Sequence, residues 1–214
     1  MPAATENRRR RLPPAERREL ILGGAMEVFA RHGFEGASMV EIAAAGGVTP
    51  AVIYDHFPSK AALAVELLGL QTAELLRFVG AALERAPEGE AERMHAGVDA
   101  FFAYVEEHPF AWRMLFRDPP SDPEVAAAYR RLNGQATAAI AVFLESGGGG
   151  ALGSYEDPRQ TAEIFAEALK AAQNGLASWW YEHPEVSREE IVERLLDFAW
   201  IGLERVAAGT AGEG

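Results

Sequence analysis

Between Ser38 and Lys60 the chain has little conformational freedom, because almost every helix boundary in that stretch is marked. Ser38-Met39-Val40-Glu41 spells a capping box, in which the serine hydroxyl accepts from the glutamate nitrogen and the glutamate side chain reaches back. The short helix that follows stops at Gly46-Gly47. Thr49-Pro50 opens another, with threonine at the N-cap and proline at the first helical position, where its missing N–H costs nothing. Val48 and Ile53 sit where a hydrophobic staple needs them. This second helix lasts about two turns, to His56. Pro58 prevents its continuation, and Ser59 caps a longer helix running to about Arg85.

Two short capped helices joined through a glycine turn form a helix-turn-helix. The first must cross the second closely, so its packing residue is small, Ala43. The turn calls for a residue tolerant of positive φ, Gly47, and Ile42, Val48 and Ile53 lock the pair. Helix 50–56 is then free to lie in a major groove with its N-terminus toward base edges and phosphates.

The rest of the chain also reads as helix, since no window sustains the period-2 alternation of a strand. Residues 1–14 form a polar, basic arm that is expected to be flexible. From Ala15 to Arg31, Ile21, Ala25, Val28, Phe29 and His32 share one face, and Gly33 is placed to end the helix. Amphipathic helices are expected at 90–107, 109–117, 122–146, 158–182 and 187–208, with prolines at the joints and Gly147–Gly150 as a linker. The expected fold is all-α. Residues 15–60 are expected to form a three-helix domain carrying the helix-turn-helix, 61–208 a helical domain, and 209–214 a tail. The boundary falls within the long helix, so the two domains share an element.

Composition excludes several alternatives. The chain of 214 residues has no cysteine, which removes disulfides, thiolate metal sites and cysteine nucleophiles. No stretch approaches the ~18 consecutive apolar residues of a membrane span. The Arg8–Arg11 run is followed by no apolar segment of a signal peptide, so a cytoplasmic protein with no membrane partner is expected. There is no HExxH, G-x-S-x-G, P-loop or Rossmann fingerprint, so neither a catalytic residue, a metal site nor a cofactor is expected. The net charge is −12, yet residues 1–60 hold 8 Lys+Arg against 7 Asp+Glu, so the acidic excess belongs to the remainder. Such asymmetry suits a nucleic-acid-binding end.

Ala25, Phe29, Gly33-Phe34, Ser38 to Ala43, Gly47-Val48-Thr49 and the run Ile53-Tyr54-Asp55-His56-Phe57-Pro58-Ser59-Lys60 together resemble the TetR family of one-component transcription regulators. The resemblance is specific over roughly residues 18–63 and rests beyond them on helix count and layout. It implies that Ser38 with its helix start, Thr49, Tyr54, His56 and Lys60 contact the sugar-phosphate backbone, positioning the protein without reading sequence. Base readout falls to Thr49, Pro50, Ala51 and Val52, whose apolar character suits thymine methyls. Gly46 stands where the family often has alanine, so a looser end to the first helix is expected. Asp55 departs from the usual aromatic or polar residue, and a carboxylate there is repelled by phosphates unless it faces a cytosine amine or points away.

The resemblance further implies a cavity for a small apolar or amphipathic effector, for which Phe101, Phe102, Trp112, Tyr129, Asn133 and Asn174 are the candidates. The amides matter because a buried amide needs a partner. Small residues on 158–182 (Ile164, Ala168, Ala171) with Trp179, and Ile191, Leu195, Phe198 and Gly202 on 187–208, mark a dimer interface of the four-helix type. The expected function is a homodimeric, sequence-specific DNA-binding regulator, a repressor released from a palindromic operator when an effector tilts helix 59–85. Two other readings stay open on the residues alone: an all-helical enzyme using the aromatic cavity, and a DNA-binding protein without an effector.

Overall fold

The computed structural model describes residues 13–116, 121–147, 152 and 155–207, with side chains described for all but 114–116, 147 and 200–207. The Arg8–Arg11 arm, most of the glycine linker and the 209–214 tail lie outside these residues. The described residues form nine helices: α1 Pro14–Gly36, α2 Met39–Ala45, α3 Pro50–His56, α4 Lys60–Arg85, α5 Glu90–Glu107, α6 Pro109–Phe116, α7 Pro123–Gly147, α8 Pro158–Glu182 and α9 Arg188–Ala207. Contacts divide the chain into two units, the first ending at Leu67 and the second starting at Leu68, inside α4.

In the first unit the caps lie where the sequence puts them. Ser38 Oγ accepts from the Glu41 nitrogen at 3.2 Å, and Glu41 Oε2 accepts from the Ser38 nitrogen at 3.0 Å. Thr49 Oγ1 caps α3 through the Val52 nitrogen at 3.4 Å, and Ser59 Oγ caps α4 through the Ala62 nitrogen at 3.0 Å. Gly47 takes φ 64°, as the turn requires. Gly33 takes φ 69° and interrupts α1, after which the chain turns once more to Gly36. Ile21, Ala25, Val28, Phe29, Ile42, Ile53 and Phe57 are buried together, whereas His32, expected on this face, is exposed.

Gly46 does not loosen α2. A Cβ on Gly46 would stand 2.6 Å from the Leu20 carbonyl oxygen. A Cβ on Gly24 would stand 2.6 Å from the Gly46 nitrogen and 2.8 Å from the Ile42 oxygen. The backbones of α1 and the end of α2 therefore touch, and the two glycines make that contact possible. Alanine at 46 is excluded by its partner helix.

Lys60 also departs from expectation. Its ammonium donates to the carbonyl oxygens of Phe34 at 2.7 Å, Ala37 at 2.9 Å and Glu35 at 3.4 Å, and lies 4.4 Å from the Phe34 ring centroid. The last carbonyls of α1 lack helical partners and carry the negative end of the helix dipole. A cation with three donors satisfies them and ties the start of α4 to the end of α1. The phosphate role expected for Lys60 conflicts with this placement, because all three donors face carbonyls of its own unit.

In the second unit α7 packs along α8, and α5 packs against α6, α8 and α9. Tyr104, fully buried, donates to Gln71 Oε1 at 3.2 Å, and burial pushes its hydroxyl pKa well up. Asp122 caps α7, Asp157 caps α8 and Ser187 caps α9. Arg188 joins α9 to α5 through Asp99 at 3.0 Å and Glu106 at 2.9 Å.

Two predictions follow from the packing of the first unit. Gly24→Ala and Gly46→Ala are expected to destabilise the protein by about 1–3 kcal/mol each, as overpacking does. Gly23→Ala, with nothing within 4 Å of the new Cβ, is expected to stabilise it by roughly 0.4–1 kcal/mol. Thermal melts of the three variants check the contrast. Lys60→Met is expected to cost about 1.5–3 kcal/mol, the range for hydrogen bonds to a charged group. In denaturant titrations, loss of DNA affinity without loss of stability would contradict that role.

Candidate functional site

α3 turns Ile53 and the following Phe57 inward and is left with an outward side. Thr49, Pro50, Ala51, Tyr54 and Asp55 are exposed, with Tyr54 at 56%, while Val52 and His56 are half-buried. Residues 50, 51 and 54 follow helical i, i+1, i+4 spacing, so their side chains share one side of the helix. That side is small and apolar except for the Tyr54 hydroxyl. A two-turn helix with this relief is narrow enough for a groove some 12 Å wide, and it offers methyl groups of the kind that contact base edges and a hydroxyl of the kind that contacts phosphates. Asp55 is exposed beside it.

Ser38 sits at the start of α2, exposed, but its hydroxyl is engaged twice. It donates to Glu41 Oε2 at 2.7 Å and accepts from the Glu41 nitrogen. The Ser38 hydrogen bonds hold the Glu41 carboxyl below its ordinary pKa, so a negative charge stands at this helix start. Ser38 thus serves the cap, and the phosphate contact implied for it competes with that carboxylate.

Among the described residues of the first unit, three of the four cations are committed. Arg18 pairs with Glu66 and lies over the Phe57 ring, Arg31 pairs with Glu27, and Lys60 holds carbonyls. Arg17 is half-buried with its Nε unpartnered.

The second unit holds two adjoining apolar cavities. One, of about 240 Å³, lies among α4, α5, α7 and α8, with Leu76, Leu83, Phe101, Ile140 and Phe143 on its walls and Gln173 as its one polar side chain. The other, of about 330 Å³, lies toward α8 and α9, with Phe165, Leu195 and Phe198 among its lining. Met94 and Leu169 line both.

The expected effector residues fall into different places. Phe101 lines the first cavity. Phe102 has no exposure and packs edge-on between Phe101 and Trp180, so it is core. Trp112 is buried and stacked on Tyr181 at 5.5 Å, which makes it core as well. Tyr129 and Asn133 line a separate void of about 30 Å³, room for a water molecule and no more. Asn174 is half-buried with its Oδ1 unpartnered among the described residues, and the preceding Gln173 faces the cavity instead. One helical position turns a side chain by 100°, a distinction that an amide pair in sequence does not carry.

The expected dimer residues also divide. Ile164, Ala168, Ala171 and Trp179 are exposed along α8, and Phe198 on α9 is 77% exposed. Ile191 and Leu195 are buried in their own subunit, because that side of α9 packs on α5. They belong to the core and not to an interface. Gly202 lies in α9 beyond the residues whose side chains are described.

No described helix is long and apolar enough to cross a membrane, and no cluster of three or more His, Asp or Glu among the described residues is set to hold a metal.

Comparison with known proteins agrees with this geometry. Residues 21–67 match the family described as bacterial regulatory proteins, tetR family, and residues 91–202 match the tetracyclin repressor-like C-terminal domain. The HTH-type transcriptional activator FasR of Mycolicibacterium smegmatis is 33% identical over 207 residues, 96% of this chain and 91% of that protein. A putative transcriptional regulator of known structure from Pseudomonas aeruginosa PAO1 superposes with a TM-score of 0.76 at 26% identity, over 94% of this chain and 96% of that one. AibR, whose structure was solved with isovaleryl coenzyme A and operator DNA, shares the fold at a TM-score of 0.69 and 17% identity, over 85% of this chain and 97% of that one. With both of its units matched and a helix-turn-helix whose outward side is free, this chain belongs to the TetR family of DNA-binding transcription regulators.

Proposed function

We propose that the protein works as a homodimer that reads a palindromic operator with α3, and that a small apolar or amphipathic effector in the second unit sets how tightly the operator is held. The observation that carries this reading is the pairing, on one chain, of an outward-facing recognition helix with a nearly all-apolar cavity. Thr49, Tyr54 and His56 contact phosphates, and Pro50, Ala51 and Val52 meet bases. The exposed Ile164, Ala171 and Trp179 on α8 join the two copies, together with Ala168 and Phe198, which also border the second cavity and place it beside the interface. The protein acts in the cytoplasm, carries no cofactor and catalyses no reaction.

α4 begins at the anchored Lys60 and later supplies Leu76 and Leu83 to the cavity wall. An effector that binds two states of this helix unequally changes operator affinity, with coupling of about 1–3 kcal/mol, or 5–150-fold, a reasonable scale. Whether occupancy represses or activates depends on where the palindrome lies relative to the promoter. FasR is named an activator, so we extend the proposal to both signs, with the repressor as only one of them.

Selection of bound duplexes from a random DNA pool, at about 150 mM salt, tests the reading. The expected product is a palindrome with half-sites about one helical turn apart, roughly 34–36 Å. Failure of a folded dimer to enrich any sequence would overturn it.

Two variant predictions use that operator as probe. Tyr54→Phe is expected to weaken binding by about 1 kcal/mol, evenly across operator variants, as loss of a phosphate hydrogen bond does. A change of base preference would instead place Tyr54 at a base edge. The second concerns charge. Residues 13–67 carry 4 Lys+Arg against 7 Asp+Glu, while residues 8–11 are all arginine. Replacing Arg8–Arg11 by serine is expected to flatten the plot of log affinity against log salt by about 2–4 units of slope. An unchanged slope in fluorescence-anisotropy titrations would remove the arm from the interface.

A further inference from the structure

Asp55 breaks the local rules of the helix that carries it. It lies in the last turn of α3, at the negative end of the helix dipole, where a carboxylate is disfavoured. It is exposed, and among the described residues its side chain caps no helix and makes no hydrogen bond or ion pair. Glu27, Glu41 and Glu66 of the same unit differ in this, since they hold Arg31, Ser38 and Arg18. Folding therefore supplies no reason for a carboxylate at position 55, and departures of this kind gather at functional sites.

Its direction follows from Ile53, the buried residue of α3. At about 100° per residue, Ala51 and Asp55, two positions before and two after Ile53, each point about 160° away from it. They are i and i+4 on one side and form the outermost ridge of the helix, both exposed. Tyr54, one position from Ile53, stands on a flank. With the packed side of α3 turned away from a duplex, the ridge faces the groove floor and the flanks face its phosphate walls. A carboxylate only accepts hydrogen bonds, so between two rows of phosphates it needs a donor on that floor. Guanine and thymine present acceptors there, and adenine places its amine beside the N7 acceptor. Cytosine presents an amine with no neighbouring acceptor on the same base.

We propose that Asp55 is a specificity-determining residue, whose carboxylate accepts from the N4 amine of a cytosine at one position of each half-site and rejects guanine and thymine there. The assignment rests on the reading of α3 as the operator-reading helix and adds which base its last turn selects. Rejection matters as much as contact. Opposite a base without an amine the carboxylate is left unpaired, facing lone pairs and phosphate charge together. Asp55 thus sharpens the choice of sequence by weakening the wrong complexes.

Duplex selection with the full-length protein, Asp55→Ala and Asp55→Asn tests this, followed by anisotropy titrations of the selected operator and its single-base variants. The expected result is one position per half-site at which the unaltered protein prefers cytosine to guanine or thymine by about 5–150-fold, the span of a single mismatch. Asp55→Ala is expected to lose the preference at that position alone, and to bind the guanine and thymine variants more tightly than the unaltered protein does. Asp55→Asn is expected to move the preference toward adenine, whose N6 and N7 match an amide. Neither variant is expected to melt below the unaltered protein, because the carboxylate has no folding partner to lose. If Asp55→Ala selected the same sequence with the same preferences, or weakened every duplex alike, the assignment to Asp55 would be overturned while α3 remained the reading helix. Failure of the unaltered protein to select any sequence would overturn the reading of α3 itself, and the assignment with it.

Discussion

Gly24 and Gly46 allow the backbone of α1 to touch the backbone at the end of α2, and the aim of α3 depends on that contact. Side chains between two helices act as spacers with several rotamers, whereas backbone against backbone leaves no slack. α2 is therefore seated on α1 at one height. Gly47, at φ 64°, turns the chain directly after the seat, and the Thr49 cap starts α3 two residues later. Recognition of a groove needs side chains held to within fractions of an ångström. Here the seating is set by two buried glycines and not by the side chains of α3.

Lys60 completes the same frame from the other side. A helix ending beside another helix's start normally leaves carbonyls for water. In this chain one ammonium takes three of them, and the Phe34 ring covers it. The consequence for binding is electrostatic. A unit that spends its lysine and two of its arginines on its own architecture presents a recognition helix of weak charge. A recognition helix of weak charge leans on shape and apolar contact, which favours discrimination between sequences over adhesion to any of them.

Much of this is legible in the sequence, for a physical reason. Caps and turn glycines are local: Ser38 and Glu41, Thr49 and Pro50, and Gly47 act within four residues of themselves, so their meaning is present in the string. The helical faces are nearly as readable, and Ile21, Ala25, Val28 and Phe29 all turn inward. The failures are long-range. That Lys60 meets carbonyls 23 to 26 positions earlier is invisible until α1 and α4 are packed. Ile191 and Leu195 have the spacing of an interface stripe, but spacing does not say whether the stripe faces α5 or another subunit. Phe102 and Phe101 are adjacent and chemically identical, yet one lines the cavity and the other is sealed between aromatic rings.

On the proposed reading, the joining of the two activities turns on α4. Coupling requires that an effector interact unequally with two states. Hydrophobic burial is non-directional, so an apolar ligand distinguishes two arrangements of an apolar wall by shape and volume and not by any single contact. α4 gives Leu76, Val79 and Leu83 to the wall of the first cavity, and these three recur at helical spacing on one face of the helix. A ligand that fills this space therefore meets α4 along a face, and the helix it meets is the one whose first residue, Lys60, holds the carbonyls at the end of α1.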